Sequence, residues 1–559
     1  MRPMPRAILL VASLVLLTPH HSALAAGKEV LADHAMVATS HKKAVAVGID
    51  ILKRGGNAVD AAIAMNAVMG VVEPMSNGVG GDLYAIVWDA KSQKMYGLNA
   101  SGRSPYAATI DYFEKHNLKE IPKSGPLSWS VPGTVDGWDQ LRIKFGTMPF
   151  SQLLAPAIEC AEQGVEVPET IGGFWRLAEP TLRRHPDAAK TFLVNGKAPR
   201  VGDVFVNKYV AKTLRTIAEG GRDAYYKGRI AKEIVDFSNA NGGLFALRDF
   251  EDTASTWVQP VSTTYRGKRV WEIPPPGQGI SVLQMLNLIE PFDVRAMGPG
   301  SADWLQLFIE TKRLAYADRA RYYTDPAFAK VPVAQLISKE YAQSRHGLID
   351  LKHAAPHVPP GEVALGGDTI YLCVVDKDRN CVSLIQSNYN GFGSGLVPGD
   401  LGFALQNRGT LFALDPNHAN HLEPHRRPFH TIIPAMVTQN DKPWFVFGVM
   451  GGDMQPQGHV QVLVNLIDFQ MDAQAAGDQP RVEHLGSATP TGLAEKGVGT
   501  VEAEPGIAKE VVEELKRRGQ NVVTVKKNGG GYQGILIDPQ SGELHGASES
   551  RRDGEAKGY

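Results

Sequence analysis

A threonine stands where a proline- and glycine-dense connector meets an apolar strand: Gly367-Asp368-Thr369-Ile370-Tyr371. A threonine hydroxyl is a poor nucleophile until something takes its proton. If the peptide bond before Thr369 is broken, the freed α-amine lies within reach of its own Oγ. An α-amine has a pKa of about 7.7–8.0, so much of it is an unprotonated base near neutral pH. One residue then supplies both nucleophile and base. The connector suits such a cut, because a bond at a loop–strand boundary can be strained while the strand stays in its sheet. Taken alone, a Gly-Asp-Thr triplet reads more often as a turn leading into a strand.

Other segments add chemistry. Gly448-Val449-Met450-Gly451-Gly452-Asp453 ends an expected strand and precedes an expected helix. Consecutive glycines let backbone N–H groups point into a cavity, as an oxyanion hole needs; a bare tight turn is the competing reading. Ser387-Asn388-Tyr389-Asn390-Gly391-Phe392-Gly393-Ser394-Gly395 follows a buried strand, and such strand ends often line sites. His425-Arg426-Arg427-Pro428-Phe429-His430-Thr431 gathers cations and donors that suit a carboxylate. A solvated basic turn fits that stretch equally well. Gly78-Val79-Gly80-Gly81 precedes a strand and opens no helix, so it fails as a dinucleotide loop and reads as tight packing. There is no His-Glu-x-x-His zinc pattern and no Gly-x-Ser-x-Gly elbow, so a zinc hydrolase and a serine esterase are unsupported.

The elements that must hold these residues alternate in type. Helices are expected over 41–54 and from Asn57 to about Met69, then over 152–162, 208–219, 280–289 and 302–323. Strands are expected at 83–88 and within 257–272, with a turn at Arg266-Gly267. After the connector 353–367 come strands at 370–376, 381–387, 402–406, 431–438 and 444–449. Helices follow at about 458–469 and 507–518, and strands near 521–526 and 532–537. Sheet elements near both ends of a mostly helical middle (150–350) indicate one layered domain with a large helical excursion.

Composition bounds the rest. The 559 residues are 43% hydrophobic and 21% charged, with net charge -1. That is ordinary globular composition with no field favouring nucleic acid or an anionic membrane. Arg2 and Arg6, the apolar run 7–17 and Ala23-Leu24-Ala25 form a secretory signal pattern. Residues 1–25 are therefore expected to be removed, leaving a periplasmic or secreted protein with no membrane anchor. Cys160, Cys373 and Cys381 are too few for a disulfide framework. Cys373 and Cys381, on either side of a hairpin turn, read as buried free thiols or as cross-strand neighbours. No metal site is supported.

Jointly, the motifs resemble the γ-glutamyltranspeptidase family of N-terminal-nucleophile hydrolases. The resemblance runs over nearly the whole mature chain. It rests on Asn57-Ala58-Val59-Asp60-Ala61-Ala62, Glu73-Pro74 with its glycine cluster, and Val131-Pro132-Gly133-Thr134-Val135. Thr369 with Val374-Val375-Asp376-Lys377-Asp378, Phe392-Gly393-Ser394-Gly395, Gly451-Gly452 and Gly546-Ala547-Ser548 complete it. The resemblance implies an α+β fold, a four-layer αββα sandwich, made as one precursor. Cleavage between Asp368 and Thr369 would give a large subunit (26–368) and a small one (369–559) that stay associated. It further implies that Thr369 attacks a γ-glutamyl carbonyl, that Gly451 and Gly452 hold the oxyanion, and that Ser387 hydrogen-bonds the nucleophile. No metal or organic cofactor is implied, and the partner is a small-molecule γ-glutamyl or related amide.

Departures from the family pattern bear on the substrate. Members usually carry an acid for the glutamyl α-amino group shortly after the strand near Asn407. Here Gln406-Asn407-Arg408-Gly409-Thr410-Leu411 has none. His430 and Thr431 stand where members carry two serines, and Tyr389 where they carry an asparagine. The family's early carboxylate-binding arginine has only Arg103, displaced toward Pro105, as its candidate. The stretch from Leu411 to Pro428 is shorter than in members with a lid over the site. An ammonium buried without an anion is costly, so weaker discrimination for an α-amino group is expected. Arg408 and Arg103 are candidates for a carboxylate-bearing acyl group, which keeps a glutaryl-type amidase open. A binding or scaffold relative that lost the chemistry is a third reading.

Overall fold

A computed structural model describes residues 27–356, 368–487, 489–526 and 529–559. The signal pattern and the end of the connector, 357–367, lie outside the described residues.

Two seven-stranded sheets form the centre. The first runs Val30–Ala32, Leu544–Ser548, Gly531–Ile537, Lys442–Met450, Ala435–Gln439, Lys268–Glu272, Val261–Tyr265. The second runs Glu555–Gly558, Met36–Thr39, Asp368–Val375, Cys381–Tyr389, Asp82–Asp89, Lys94–Ala100, Thr256–Val258. All pairings in both are antiparallel. Alternate side chains of each strand point to opposite faces, and here both faces are covered. Tyr84, Ile86, Tyr371, Cys373 and Ile385 of the second sheet meet Met436, Val446, Met450 and Ile535 of the first between the sheets.

Helices close both outer faces. Lys42–Lys53 and Ala58–Val72 pack on the second sheet through Val37, Leu83, Ala85, Leu372 and Leu384, and Phe150–Gln163 packs between Ala58–Val72 and Lys208–Tyr226. Gly279–Ile289 and Met454–Ile467 pack on the first through Val270, Ala435, Phe445 and Phe447, and Ala302–Tyr322 packs on the outside of Gly279–Ile289. The result is an α+β sandwich of four layers, helices–sheet–sheet–helices. Of the five strands in the 150–350 stretch, Thr256–Val258, Val261–Tyr265 and Lys268–Glu272 join the central sheets, while Val165–Glu166 and Val204–Phe205 pair with each other. Local signals act as their residue types predict. Asn57 caps Ala58–Val72 and forms a reciprocal capping box with Asp60.

Some expectations need correction. Residues 402–406 form no strand; Leu405 N binds Leu396 O and Gln406 N binds Gly80 O, so the segment is tied into loops. The strand expected over 431–438 starts at Ala435, because Pro434 has no N–H to give a ladder. Lys94–Ala100, Leu544–Ser548 and Glu555–Gly558 are strands that the hydropathy pattern did not single out. All three cysteines are free and buried. Cys373 faces Ser383 and Cys381 faces Val375, so the two are not cross-strand neighbours. Among the described residues no helix is long and apolar enough to cross a membrane, and no group of three or more His, Cys, Asp or Glu could hold a metal ion.

Candidate active site

The site lies at one end of the space between the sheets. Asp368 pairs with Tyr389 and Ile370 with Gln386, so Thr369 alone faces the two residues Ser387 and Asn388. Such a bulge re-aims side chains. Thr369 is buried, and its Oγ1 donates to Ser387 Oγ at 3.4 Å. Ser387 Oγ also accepts the Tyr389 N–H at 2.8 Å. Tyr389 closes the bulge in a left-handed conformation, φ 75°, unusual for a non-glycine residue. Of Asp368, whose peptide bond to Thr369 is the expected cut, only its place at the strand start is described.

The glycine pair approaches from the other sheet. Ser383, opposite Cys373, donates to Phe447 O at 3.5 Å, and the next residue, Gly448, lies flat against the Tyr371 ring. A Cβ on Gly448 would stand 2.5 Å from that ring. Continuing along both strands brings Met450–Gly452 toward Thr369. Gly451 and Gly452 have φ 112° and 59°, regions that favour glycine. Their carbonyls accept Met454 N and Gln455 N at 3.0 and 3.2 Å, in the first turn of Met454–Ile467. Among the described residues neither glycine N–H meets an acceptor. Two free donors beside a helix N-terminus favour a developing negative charge.

Arg408 is a buried cation beside Tyr389 and Thr431. It is fully buried and donates from Nη1 to Thr431 Oγ1 at 2.7 Å. Its guanidinium carbon lies 4.7 Å from the Tyr389 ring centre. Nε and Nη2 meet no acceptor among the described residues. Burial draws its pKa down to about 10, and Asp82 is the first charge opposing that. Two orphaned N–H groups on a buried cation call for an anion.

His430 is engaged by an acid. Its Nε2 donates to Asp82 Oδ2 at 3.1 Å, both side chains wholly buried, and its ring stacks on Tyr84 at 4.8 Å. Burial, with help from Arg408, pushes its pKa down to about 4, so it is neutral at pH 7. Asn407 is a tether: its Oδ1 accepts Asn390 N at 3.2 Å and its Nδ2 donates to Lys123 O at 2.7 Å. Beside Tyr389 and Asn390 a cavity of about 370 Å³ opens, lined also by Ile121, Lys123, Phe412 and Leu414. Arg103 is engaged elsewhere, bound to Asp325 at 3.4 Å and to His425 O at 3.0 Å.

Sequence reasoning missed Asp82. It sits opposite Ser387 in the neighbouring strand, on the same face. Its Oδ1 accepts Gly102 N at 2.9 Å and Gly133 N at 3.2 Å. Asp82, at the end of the glycine-rich segment, thus sets a buried acid opposite Ser387, where 406–411 supplies none. A carboxylate opening a strand that is buried on both faces must be paired, and that was the available signal. Gly80 and Gly81 do serve packing: a Cβ would come within 2.2 Å of Ala404 O and 2.6 Å of Ser387 O.

Known proteins resemble this chain along most of its length. It is 37% identical to the glutathione hydrolase-like YwrD proenzyme of Bacillus subtilis (strain 168), covering 81% of this chain and 86% of that one. It is 34% identical to the glutathione hydrolase proenzyme of Escherichia coli (strain K12), over 93% and 91%. The crystal structure of a cephalosporin acylase from Bacillus halodurans superposes with a TM-score of 0.88 at 39% identity, over 98% of this chain and 99% of that one. The family described as Gamma-glutamyltranspeptidase matches residues 44–559. The chain therefore belongs to the gamma-glutamyltranspeptidase family of N-terminal-nucleophile hydrolases.

Proposed function

We propose that the chain is exported, cuts itself between Asp368 and Thr369, and then cleaves a γ-glutamyl amide through a threonine acyl-enzyme. The observation that carries this is the buried Thr369 hydroxyl at the start of its strand, 3.4 Å from Ser387 Oγ. After the cut, the new α-amine takes the Oγ proton as Oγ attacks the amide carbonyl. Gly451 and Gly452 N–H groups receive the oxyanion. The ammonium then protonates the departing amine as the C–N bond breaks. Water, or a second amine, attacks the ester by the reverse course and frees Thr369. Ser387 holds the nucleophile in place. The proenzyme names of two relatives support maturation by cleavage.

A second reading concerns the acyl group. Arg408 is buried with no ion-pair partner among the described residues, and Asp82 already accepts from two backbone N–H groups and His430. That arrangement favours an acyl chain ending in a carboxylate and leaves less for an α-ammonium. A glutaryl-type amide fits this reading, and one solved relative is titled an acylase. N-terminal sequencing of the smaller fragment tests the first reading. A chain that stays whole, or a fragment beginning anywhere but at residue 369, overturns it. Parallel rates on γ-glutamyl and glutaryl anilides separate the two acyl groups.

A further inference from the structure

One buried amide ties the oxyanion loop to the wall of the acyl pocket. Gln278 stands just before the helix Gly279–Ile289 and is fully buried. Its Nε2 donates to Thr431 O at 2.7 Å and to Gly452 O at 2.9 Å. Its Oε1 accepts from Arg319 Nη1 at 2.6 Å. That guanidinium also holds Asp453, at 2.7 and 3.3 Å, and lies 3.8 Å from the Tyr316 ring centre. Tyr316 in turn donates to Asp453 O at 2.5 Å.

The chemistry of this chain of contacts fixes its direction. A guanidinium only donates, so Arg319 compels the amide oxygen to face it. Both amide hydrogens are then turned to carbonyls, one in each site loop. Thr431 carries the hydroxyl that receives Arg408, and Gly452 carries one of the two free N–H groups. The glycines have no side chains to hold them; the Gly452 carbonyl shares its peptide plane with Asp453 N–H, and only the Gly452 Cα separates that plane from the one carrying Gly452 N–H.

Building on the reading of Thr369 as nucleophile, we propose that Gln278 is a positioning residue. It anchors the Gly452 end of the Gly451–Gly452 turn, and with it the Gly452 N–H one Cα away, against the acyl pocket, and Arg319 with Asp453 sets the amide. Gln278 precedes the expected cut, whereas Thr431, Gly452 and Asp453 follow it. The larger fragment thus shapes the oxyanion site of the smaller one.

The isosteric Q278E variant is the test. It keeps volume and the contact to Arg319 but turns an oxygen toward both carbonyls. The probes are a γ-glutamyl anilide, a glutaryl anilide, a boronate analogue of the acyl group and the free acid product. The expected result on the better anilide is a fall in kcat of about ten- to a hundredfold, part of what losing an oxyanion donor costs. KM and the affinity for the acid stay within about threefold, while boronate affinity falls in step with kcat/KM. Unchanged kcat, or losses in KM and acid affinity as large as that in kcat, overturns the proposal. If Q278E does not accumulate folded, Q278A is read by the same split. Failure of wild type to mature at residue 369 or to release amine refutes the nucleophile assignment instead, which the wild-type arm reports separately.

Discussion

The Arg408 guanidinium rests on the ring of Tyr389, 4.7 Å from its centre, and reaches Thr431 Oγ1 with only one of its nitrogens. The stacked face is satisfied, and Nε and Nη2 on the remaining edge meet no acceptor among the described residues. Replacing Arg408 by Met should lower kcat/KM for anilides with a terminal carboxylate by about ten- to a hundredfold, the range of a charged hydrogen bond. An acetyl or butyryl anilide should be hydrolysed unchanged. Arg103→Ala should leave both substrate classes alike, since Asp325 and His425 already occupy that side chain.

Loss of the nucleophile and loss of its neighbour should differ. Thr369→Ala removes Oγ, so the chain should remain in one piece and release no anilide. Ser387→Ala keeps the nucleophile but drops one of its hydrogen-bond partners. Maturation should slow, and kcat should fall by about tenfold, the equivalent of one neutral hydrogen bond of about 1–1.5 kcal/mol. A denaturing gel taken over time, with anilide release from the matured fraction, checks both.

Gly451→Ala should cost turnover and stability together. A Cβ there would stand 2.6 Å from Gly530 N and 2.8 Å from Gly530 Cα, at φ 112°. Backbone strain of this kind costs about 1–3 kcal/mol. The melting temperature should drop by a few degrees and kcat by more than tenfold.

His430 should make the protein acid-sensitive. Its folded pKa of about 4 lies below the unfolded value of 6.5. Between those values the unfolded chain binds a proton that the fold refuses. The stability is therefore fully present above pH 6.5 and is lost as pH falls toward 4, by about 3 kcal/mol over the window. His430→Asn should flatten the slope of stability against pH there, measured by urea unfolding at a series of pH values. Activity should fade earlier, below about pH 7.5, as the Thr369 α-amine becomes protonated.

What the sequence made legible was chemistry that lives within a few consecutive residues. Thr369 at a loop–strand junction, the Gly451-Gly452 pair and the Asn57 cap each announce themselves by type and spacing. Four layers followed from the family pattern. Asp82 and Gln278 were silent because their partners are far along the chain: Asp82 meets His430 across 348 positions, and Gln278 meets Gly452 across 174. An acid after three glycines and a glutamine after three prolines carry no local sign of what the fold sets beside them. Arg103 was silent in the same way, since a lone arginine near a site gives no sign of Asp325, the buried acid that it meets across 222 positions.

Met36–Thr39 is wedged between Glu555–Gly558 and Asp368–Val375. A cut before residue 369 would therefore free a terminus without freeing a piece. Each product keeps lanes that only the other can fill, like the two halves of a zip fastener. Separated in denaturant, neither should refold by itself, and activity should return only when both are renatured in the same tube.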